Sequence, residues 1–174
     1  MNNAPKPFDT ARFANIIDFA IRAHDKFFKE PHKRFRKWDG RTPYSIHPIW
    51  CATTLLTETT LPEDVRQKGT LTLLLHDVVE DTEAPLPSSL PPGVEALVDE
   101  MTFDSYEDEF ERVWGRSEIC RLLKLYDKVS NLLDANWRTD KRDHYVAYTL
   151  RLCSEVEQRW GPLNITRIAR AIAV

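Results

Sequence analysis

The feature that most constrains the fold of this chain is residues 71–82, where an apolar run of leucines leads directly into polar groups. Four of these groups can ligate a metal or move protons: His76, Asp77, Glu80 and Asp81. If the segment is a helix, their spacings of three and four residues place them on neighbouring turns of one side. The leucines and the following valines continue one apolar face, so the segment is predicted to be a partly buried helix.

Burial of this segment would be costly without a compensating charge. Three carboxylates and one imidazole beside apolar walls repel one another and lose hydration, and residues 71–82 contain no lysine or arginine. A divalent cation is the simplest compensation, so the segment is predicted to contribute to a metal site. The alternative is a solvated acidic helix end, which the preceding leucine run argues against.

Length, composition and charge describe an ordinary globular protein. The 174 residues suffice for a hydrophobic core, and we expect residues 1–8 to form a loose leader before a single domain over residues 9–174. The formal net charge of −3 does not favour a nucleic-acid or anionic-membrane surface, and no apolar run is long enough to span a membrane.

The three cysteines lie far apart and are odd in number, so we expect reduced thiols and a cytoplasmic protein. The sequence leaves the oligomeric state open.

Apolar residues recur at helical spacing along most of the chain, and no segment alternates apolar and polar residues between hairpin turns. The fold is therefore predicted to be all-α, a single helical bundle. Within it, Gly69 is expected to break the helix opened by Pro62 before the helix that carries His76 begins. Residues 135–143 are expected to form a polar loop. The acidic side chains of the amphipathic segment at residues 104–116 are expected to be solvated: Glu107, Asp108, Glu109 and Glu111.

Residues 29–41 hold a local excess of lysine and arginine with aromatic residues between them. In an acidic protein this excess is a candidate anion-binding segment, and the guanidinium fork of arginine suits the oxygens of phosphate. The alternative is a solvated charged face. Trp38 either stacks on a base or covers an edge of the core, and the sequence leaves both alternatives open.

Three further residues attract attention outside the central segment. His24, at the end of an amphipathic helical segment, is expected to be a hydrogen-bonded core or boundary histidine. His47 precedes a proline that can start a helix, so it is expected at a helix entrance. From the residues alone, Asp127 either forms an ion pair with Lys124 or Lys128 or takes part in the site, and the sequence does not decide between these alternatives.

The motifs follow one another in a specific order: the basic segment, Thr-Pro-Tyr-x-x-His-Pro at residues 42–48, His-Asp-Val-Val-Glu-Asp-Thr at residues 76–82, and Lys-Leu-x-Asp-Lys-x-x-Asn-Leu at residues 124–132. This order resembles the HD-domain phosphohydrolases. Within them it resembles the guanosine polyphosphate hydrolase branch, which comprises RelA/SpoT hydrolase domains and the small alarmone hydrolases of the stringent response. The resemblance covers residues 13–134 and implies a single HD-domain helical bundle.

The resemblance implies a site residue by residue. It places the metal ligands on His47, His76, Asp77 and Asp127, and the catalytic acids on Glu80 and Asp81. It places the substrate contacts on Arg36, Lys37, Tyr44 and Asn131, with the asparagine at the ribose. The family metal is Mn²⁺, one per chain, although Fe²⁺, Co²⁺ or Zn²⁺ could occupy the same ligands.

The resemblance also implies an activity, the hydrolysis of (p)ppGpp at the 3′ position to GDP or GTP and pyrophosphate, with a nucleotide as the small-molecule partner. Three departures from the family pattern concern substrate recognition: a longer connection over residues 24–36, Trp38 in place of a small or polar residue, and Leu133 in place of an arginine. Two alternative functions therefore stay open. One is an HD phosphohydrolase for another nucleotide, such as an NADPH 2′-phosphatase or a nucleotidase, and the other is an inactive nucleotide-binding module.

Overall fold

The computed structural model describes residues 8–134 and 139–173, so the expected leader lies, apart from its last residue, outside the described part of the chain. That part contains the helices α1 Thr10–Lys26, α2 Ile46–Leu56, α3 Glu63–Asp81, α4 Val94–Met101, α5 Tyr106–Arg112, α6 Glu118–Leu132, α7 Thr139–Trp160 and α8 Asn164–Ile172. Short 3-10 turns cover Pro31–Lys33 and Val113–Gly115. The described residues form no β-strand beyond two isolated bridges, and the all-α prediction is confirmed. No helix among them is long and apolar enough to cross a membrane.

Helices α3 and α6 form the centre of the bundle. Helix α3 packs against α1, α2 and α4, whereas α6 packs against α2, α7 and α8, and the two central helices also touch each other. Their leucines include side chains that are completely buried: Leu73, Leu74, Leu75, Leu122, Leu123 and Leu125. Burial of each such side chain contributes about 1.5–3 kcal/mol. This core fixes the two helices whose polar residues make up most of the candidate site.

Helix α3 continues through Gly69 without a break, so the prediction of two separate helices is wrong. A Cβ at this position would lie 2.7 Å from Leu55 Cδ2 and 2.9 Å from Leu123 Cδ2. The glycine therefore lets α2 and α6 approach α3 closely at this point. The packing that this approach permits outweighs the cost of roughly 1 kcal/mol that glycine carries inside a helix.

The carboxyl end of α3 is held by the segment that follows α1. The Lys29 ammonium donates hydrogen bonds to the carbonyl oxygens of Val79 (2.9 Å) and Glu80 (2.8 Å). The Lys29 backbone N–H donates to the carbonyl oxygen of Asp81 (2.9 Å). The last carbonyls of a helix lack partners within it, and a positive charge is favourable at this end of the helix dipole. Lys29 therefore fixes the turn that carries Glu80 and Asp81.

Helix α5 departs from the expected solvated acidic segment. Ser105 caps it by accepting a hydrogen bond from the backbone N–H of Asp108 (3.1 Å). Glu107 and Glu111 are exposed, as predicted, but Glu109 is only 5% exposed. The prediction for Glu109 is wrong because two lysines of α6 pair with its carboxylate, which makes burial of the charge acceptable.

The structure also tests the predictions for His24 and for the loop over residues 135–143. His24 is buried in α1, and its Nδ1–H donates to the carbonyl oxygen of Ala20 (2.8 Å), which confirms a hydrogen-bonded core histidine. The loop predicted over residues 135–143 is wrong from Thr139 onward, where α7 begins, and residues 135–138 lie outside the described part. A polar sequence is equally compatible with an exposed helical turn.

Candidate functional site

The candidate site lies where α2, α3 and α6 meet. The first turn of α2 provides His47, α3 provides His76 and Asp77, and α6 provides Asp127. One ligand atom from each of His47, His76 and Asp127 lies within 4.8 Å of the others. Asp77 joins this group, since its Oδ2 lies 3.3 Å from His47 Nε2 and its Oδ1 lies 3.1 Å from His76 Nε2. The fold thus brings the four sequence-predicted ligands together.

The two imidazoles present their Nε2 atoms to the carboxylates. The His76 Nδ1–H donates to the carbonyl oxygen of Leu73 (2.8 Å), which leaves the lone pair on Nε2. His47 Nδ1 lies 2.8 Å from the hydroxyl of Ser130. Both Nε2 atoms are buried and lack a hydrogen-bond partner among the described residues. Two such nitrogens beside carboxylate oxygens are the donor set that a bound cation requires.

The pKa values of the two histidines move in opposite directions. Burial lowers the pKa of His76, and attraction to Asp77 and Asp127 offsets only part of this effect, so the imidazole is neutral near pH 7. Burial also lowers the pKa of His47, but Cys51 and the two aspartates raise it by more. The site therefore favours a positive charge between its carboxylates, which a divalent cation would supply in place of the proton.

Both aspartates are oriented by hydrogen bonds from neighbouring side chains. Asp77 Oδ2 accepts a hydrogen bond from the Tyr44 hydroxyl (2.7 Å), and Asp127 Oδ1 accepts one from the Asn131 amide (2.8 Å). Burial raises the pKa of each carboxyl, but nearby positive charges lower both pKa values below their ordinary range. Both aspartates are therefore ionised at neutral pH and can act as ligands.

Asp127 uses its two oxygens in different directions. Its Oδ1 lies 3.5 Å from His47 Nε2 and 4.0 Å from His76 Nε2. Its Oδ2 lies 3.0 Å from Lys128 Nζ and 3.4 Å from Lys124 Nζ. The sequence left two alternatives for Asp127, an ion pair with a lysine or a position in the candidate site. In the structure, Asp127 has both.

Glu80 and Asp81 lie partly exposed in the last turn of α3, close to the four predicted ligands. Glu80 Oε1 accepts a hydrogen bond from the backbone N–H of Phe103 (3.2 Å). Burial raises the pKa of Glu80 to about 7, and the Asp77 carboxylate acts in the same direction. Burial likewise raises the pKa of Asp81 to about 6. Carboxyl groups with pKa values near the operating pH suit proton transfer.

The basic segment forms a narrow loop that reaches α6. Its backbone is closed by hydrogen bonds from the Arg36 N–H to the Thr42 carbonyl oxygen and from the Tyr44 N–H to the Arg34 carbonyl oxygen, both 2.8 Å long. Arg36 is only 4% exposed, and its guanidinium donates to Asn131 Oδ1 (3.3 Å). Arg36 thus points into the protein and links the loop to the asparagine that holds a predicted metal ligand.

Lys37 and Trp38 lie on the outer side of the same loop. The Lys37 backbone N–H donates to Asp134 Oδ2 (3.1 Å), while its side chain is exposed. Trp38 is 40% exposed, and the guanidinium carbon of Arg36 lies 5.9 Å from the centroid of its ring. An exposed indole of this kind offers a face on which a nucleobase can stack.

Sequence reasoning missed two residues that support the site. Ser130 lies one helical turn after Asp127, so the i,i+3 spacing on α6 was a signal for it. Glu109 gave no such signal, because its partners belong to another helix. Contacts between helices are not encoded in local spacing.

Comparisons with known proteins show which proteins the chain is similar to. No protein-family model matches the chain. The chain is similar to the guanosine-3′,5′-bis(diphosphate) 3′-pyrophosphohydrolase MESH1 of Drosophila melanogaster, with 32% identity over 162 residues that cover 83% of this chain and 84% of that protein. It is also similar to MESH1 of Homo sapiens, with 33% identity over 138 residues that cover 74% of this chain and 72% of that protein.

A solved structure shows the same fold. It belongs to a metazoan ortholog of SpoT that hydrolyses ppGpp and plays a role in starvation responses. It matches with a TM-score of 0.72 and 27% identity and covers 97% of this chain and 96% of that chain. The match confirms the fold class that the resemblance implied.

Proposed function

The chain belongs to the MESH1 family of guanosine polyphosphate pyrophosphohydrolases, and we propose that it is itself a metal-dependent (p)ppGpp 3′-pyrophosphohydrolase. The products would be GDP or GTP and pyrophosphate. One observation carries this proposal beyond the family likeness. In the interior, two imidazole nitrogens that have no hydrogen-bond partner among the described residues face two ionised aspartates, a donor set suited to a divalent cation.

We assign the metal ligands to His47, His76, Asp77 and Asp127. A mixed set of imidazoles and carboxylates suits Mn²⁺, and it would also accept Fe²⁺, Co²⁺ or Zn²⁺. When bound, the cation would lower the pKa of a bound water and neutralise phosphate charge. Tyr44 supports the assignment, because its hydroxyl fixes the orientation of Asp77.

Glu80 and Asp81 are the proposed proton-transfer groups. Hydrolysis needs a base to accept a proton from the attacking water and an acid to protonate the departing 3′ oxygen. With pKa values raised to about 7 and about 6, these carboxyls can exchange protons near neutral pH. The hydrogen bonds from Lys29 to the last turn of α3 keep both groups in place.

The proposed substrate contacts are Arg36, Lys37, Tyr44 and Asn131. The Lys37 side chain is exposed, and its ammonium suits an outer phosphate of the substrate. Arg36 and Asn131 are bonded to each other at 3.3 Å, so they would contact the phosphate and the ribose as a pair. Their mutual bond explains how two residues far apart in sequence would act together.

The cytoplasm is the proposed location of this activity. Cys51, Cys120 and Cys153 are free and buried. Free thiols are typical of proteins from reducing compartments.

The test of the proposed function is a hydrolysis assay with Mn²⁺ in which ppGpp, NADPH, dNMPs and GTP are compared side by side. Orthophosphate and pyrophosphate are quantified separately. Release of pyrophosphate from ppGpp is the expected result. Orthophosphate from NADPH or another nucleotide would instead assign the protein to a different HD phosphohydrolase activity. Absence of all turnover with metal bound would leave an inactive nucleotide-binding module.

The proton-transfer roles are tested with the double variant Glu80→Gln/Asp81→Asn. We expect turnover to fall by about 10²–10⁴-fold while Mn²⁺ binding persists, since general acid–base catalysis contributes this much. Glu83→Gln is the matched control, because this exposed glutamate lies two residues beyond the end of α3. Unchanged turnover in the metal-loaded double variant would refute the assigned roles.

A further inference from the structure

We propose that Glu109 is a positioning residue of the metal centre, which sets the affinity for the cation through Lys124 and Lys128. The two lysines connect Glu109 on α5 with Asp127 on α6. The inference rests on the proposed metal centre, and it concerns a helix that contributes no predicted ligand.

The contacts form a closed group in the interior. The Glu109 carboxylate accepts hydrogen bonds from Lys124 Nζ (3.0 Å), Lys128 Nζ (2.8 Å) and the Tyr148 hydroxyl (2.9 Å). The same ammonium groups lie 3.4 Å and 3.0 Å from Asp127 Oδ2. Each lysine thus bridges two carboxylates, one on α5 and one in the candidate site.

The charges of this group balance. Two ammonium groups face two carboxylates, and the lysines are only 2% and 5% exposed, so water screens their charges weakly. Without the charge of Glu109, Asp127 would be the one carboxylate among the described residues within 4 Å of the two ammonium groups. One uncompensated positive charge would then lie beside the oxygen pair that the metal needs, and cation binding would weaken.

Glu109 also determines which oxygen of Asp127 is available. The lysines occupy Oδ2, while Oδ1 accepts the Asn131 hydrogen bond and faces His47 Nε2 at 3.5 Å. A lysine released from Glu109 would be free to move along the aspartate and compete for Oδ1. The alternative explanation is that Glu109 only holds α5 on the bundle, in which case its loss would change stability and leave the intrinsic metal affinity unchanged.

The experiment measures Mn²⁺ binding by isothermal titration calorimetry on the full chain, well below the melting temperature of each variant. For Glu109→Gln we expect binding to weaken by about tenfold or more. For Lys128→Met we expect binding to tighten, since a positive charge is removed. For the double variant Glu109→Gln/Lys128→Met we expect near-wild-type affinity, because the charges balance again. Glu107→Gln, an exposed glutamate on the same helix, is the control and should bind as wild type.

The outcomes distinguish failure of the Glu109 role from failure of the proposed metal centre. Wild-type affinity in Glu109→Gln would overturn the positioning role, and so would a double variant that stays as weak as the single one. If Glu109→Gln does not fold, Lys128→Met decides, because a purely structural network predicts unchanged affinity and charge balance predicts tighter binding. Failure of the wild-type chain to bind Mn²⁺ would instead remove the metal centre itself, and the proposed function with it.

Discussion

Replacement of Glu80 by glutamine is expected to stabilise the metal-free protein at neutral pH while it removes a group that the proposed reaction needs. Burial raises the pKa of Glu80 from its ordinary 4.5 to about 7. At about 1.4 kcal/mol per pH unit, the difference corresponds to about 3 kcal/mol of destabilisation when the carboxyl is forced to ionise. Glutamine keeps an oxygen that can accept the hydrogen bond from the Phe103 N–H, so packing is retained.

The sign of the pH dependence follows from the raised pKa of Glu80. Below its unfolded-state pKa of 4.5, the carboxyl is protonated in both states and the wild type carries no penalty. Between this pH and about 7, the unfolded chain binds fewer protons than the folded protein, so wild-type stability falls as pH rises. Glu80→Gln lacks this loss, and its advantage should therefore grow across that range and be complete above it.

Urea and thermal denaturation in EDTA, at about pH 4.5 and about pH 8, measure this effect as a change in the free energy of unfolding. At the higher pH, an advantage of about 3 kcal/mol corresponds to a melting temperature raised by roughly 6–12 °C in a chain of this size. The exposed Glu83→Gln control should show neither change. A Glu80→Gln protein with the same stability difference at both pH values would refute the argument from burial.

Three further predictions concern packing, capping and recognition. Gly69→Ala should lower the free energy of unfolding by about 1–3 kcal/mol in urea, because the new Cβ would lie 2.7 Å from Leu55 Cδ2; an unchanged value would contradict the close approach of α2 and α3. Glu58→Ala should cost roughly 2–3 kcal/mol in thermal melts, because its carboxylate accepts the backbone N–H groups of Asn164 and Ile165 at the start of α8. Trp38→Ala should raise KM for ppGpp by roughly tenfold, more than it lowers kcat, if the base stacks on the indole. Trp38→Phe should restore most of the wild-type KM. Equal KM values in all three proteins would show that the ring has only a structural role.

Local periodicity was sufficient to predict most of the helices and the groups that one helix carries. The spacing of His76, Asp77, Glu80 and Asp81 placed them on one side of α3 before any tertiary contact was known. The same local reasoning failed at Gly69, where helix propensity argued for a break. Packing between α2, α3 and α6 determines that the helix continues through Gly69. The helix propensity of glycine contains no information about this packing.

The supporting residues of the site were harder to predict because their partners are distant in sequence. Arg36 belonged to a segment predicted either to bind anions or to form a solvated charged face, whereas its guanidinium lies in the interior and bonds to Asn131. Glu109 looked like one of several solvated acids, and its burial depends on two lysines that lie on another helix. Residue type and spacing therefore predicted which groups the fold brings together, but the orientation of each group depends on contacts that only the folded chain makes.

The end of α3 shows why burial and function conflict in this fold. A helix C-terminus carries partial negative charge and favours cations, yet α3 ends in Glu80 and Asp81 and has no basic residue in its last turn. A cation from a different segment, Lys29, binds the terminal carbonyls instead. Burial keeps the pKa values of the two carboxyls raised even so. A sequence selected for stability alone would place lysine or glutamine at these positions, which supports the proton-transfer roles that we propose for the two acids.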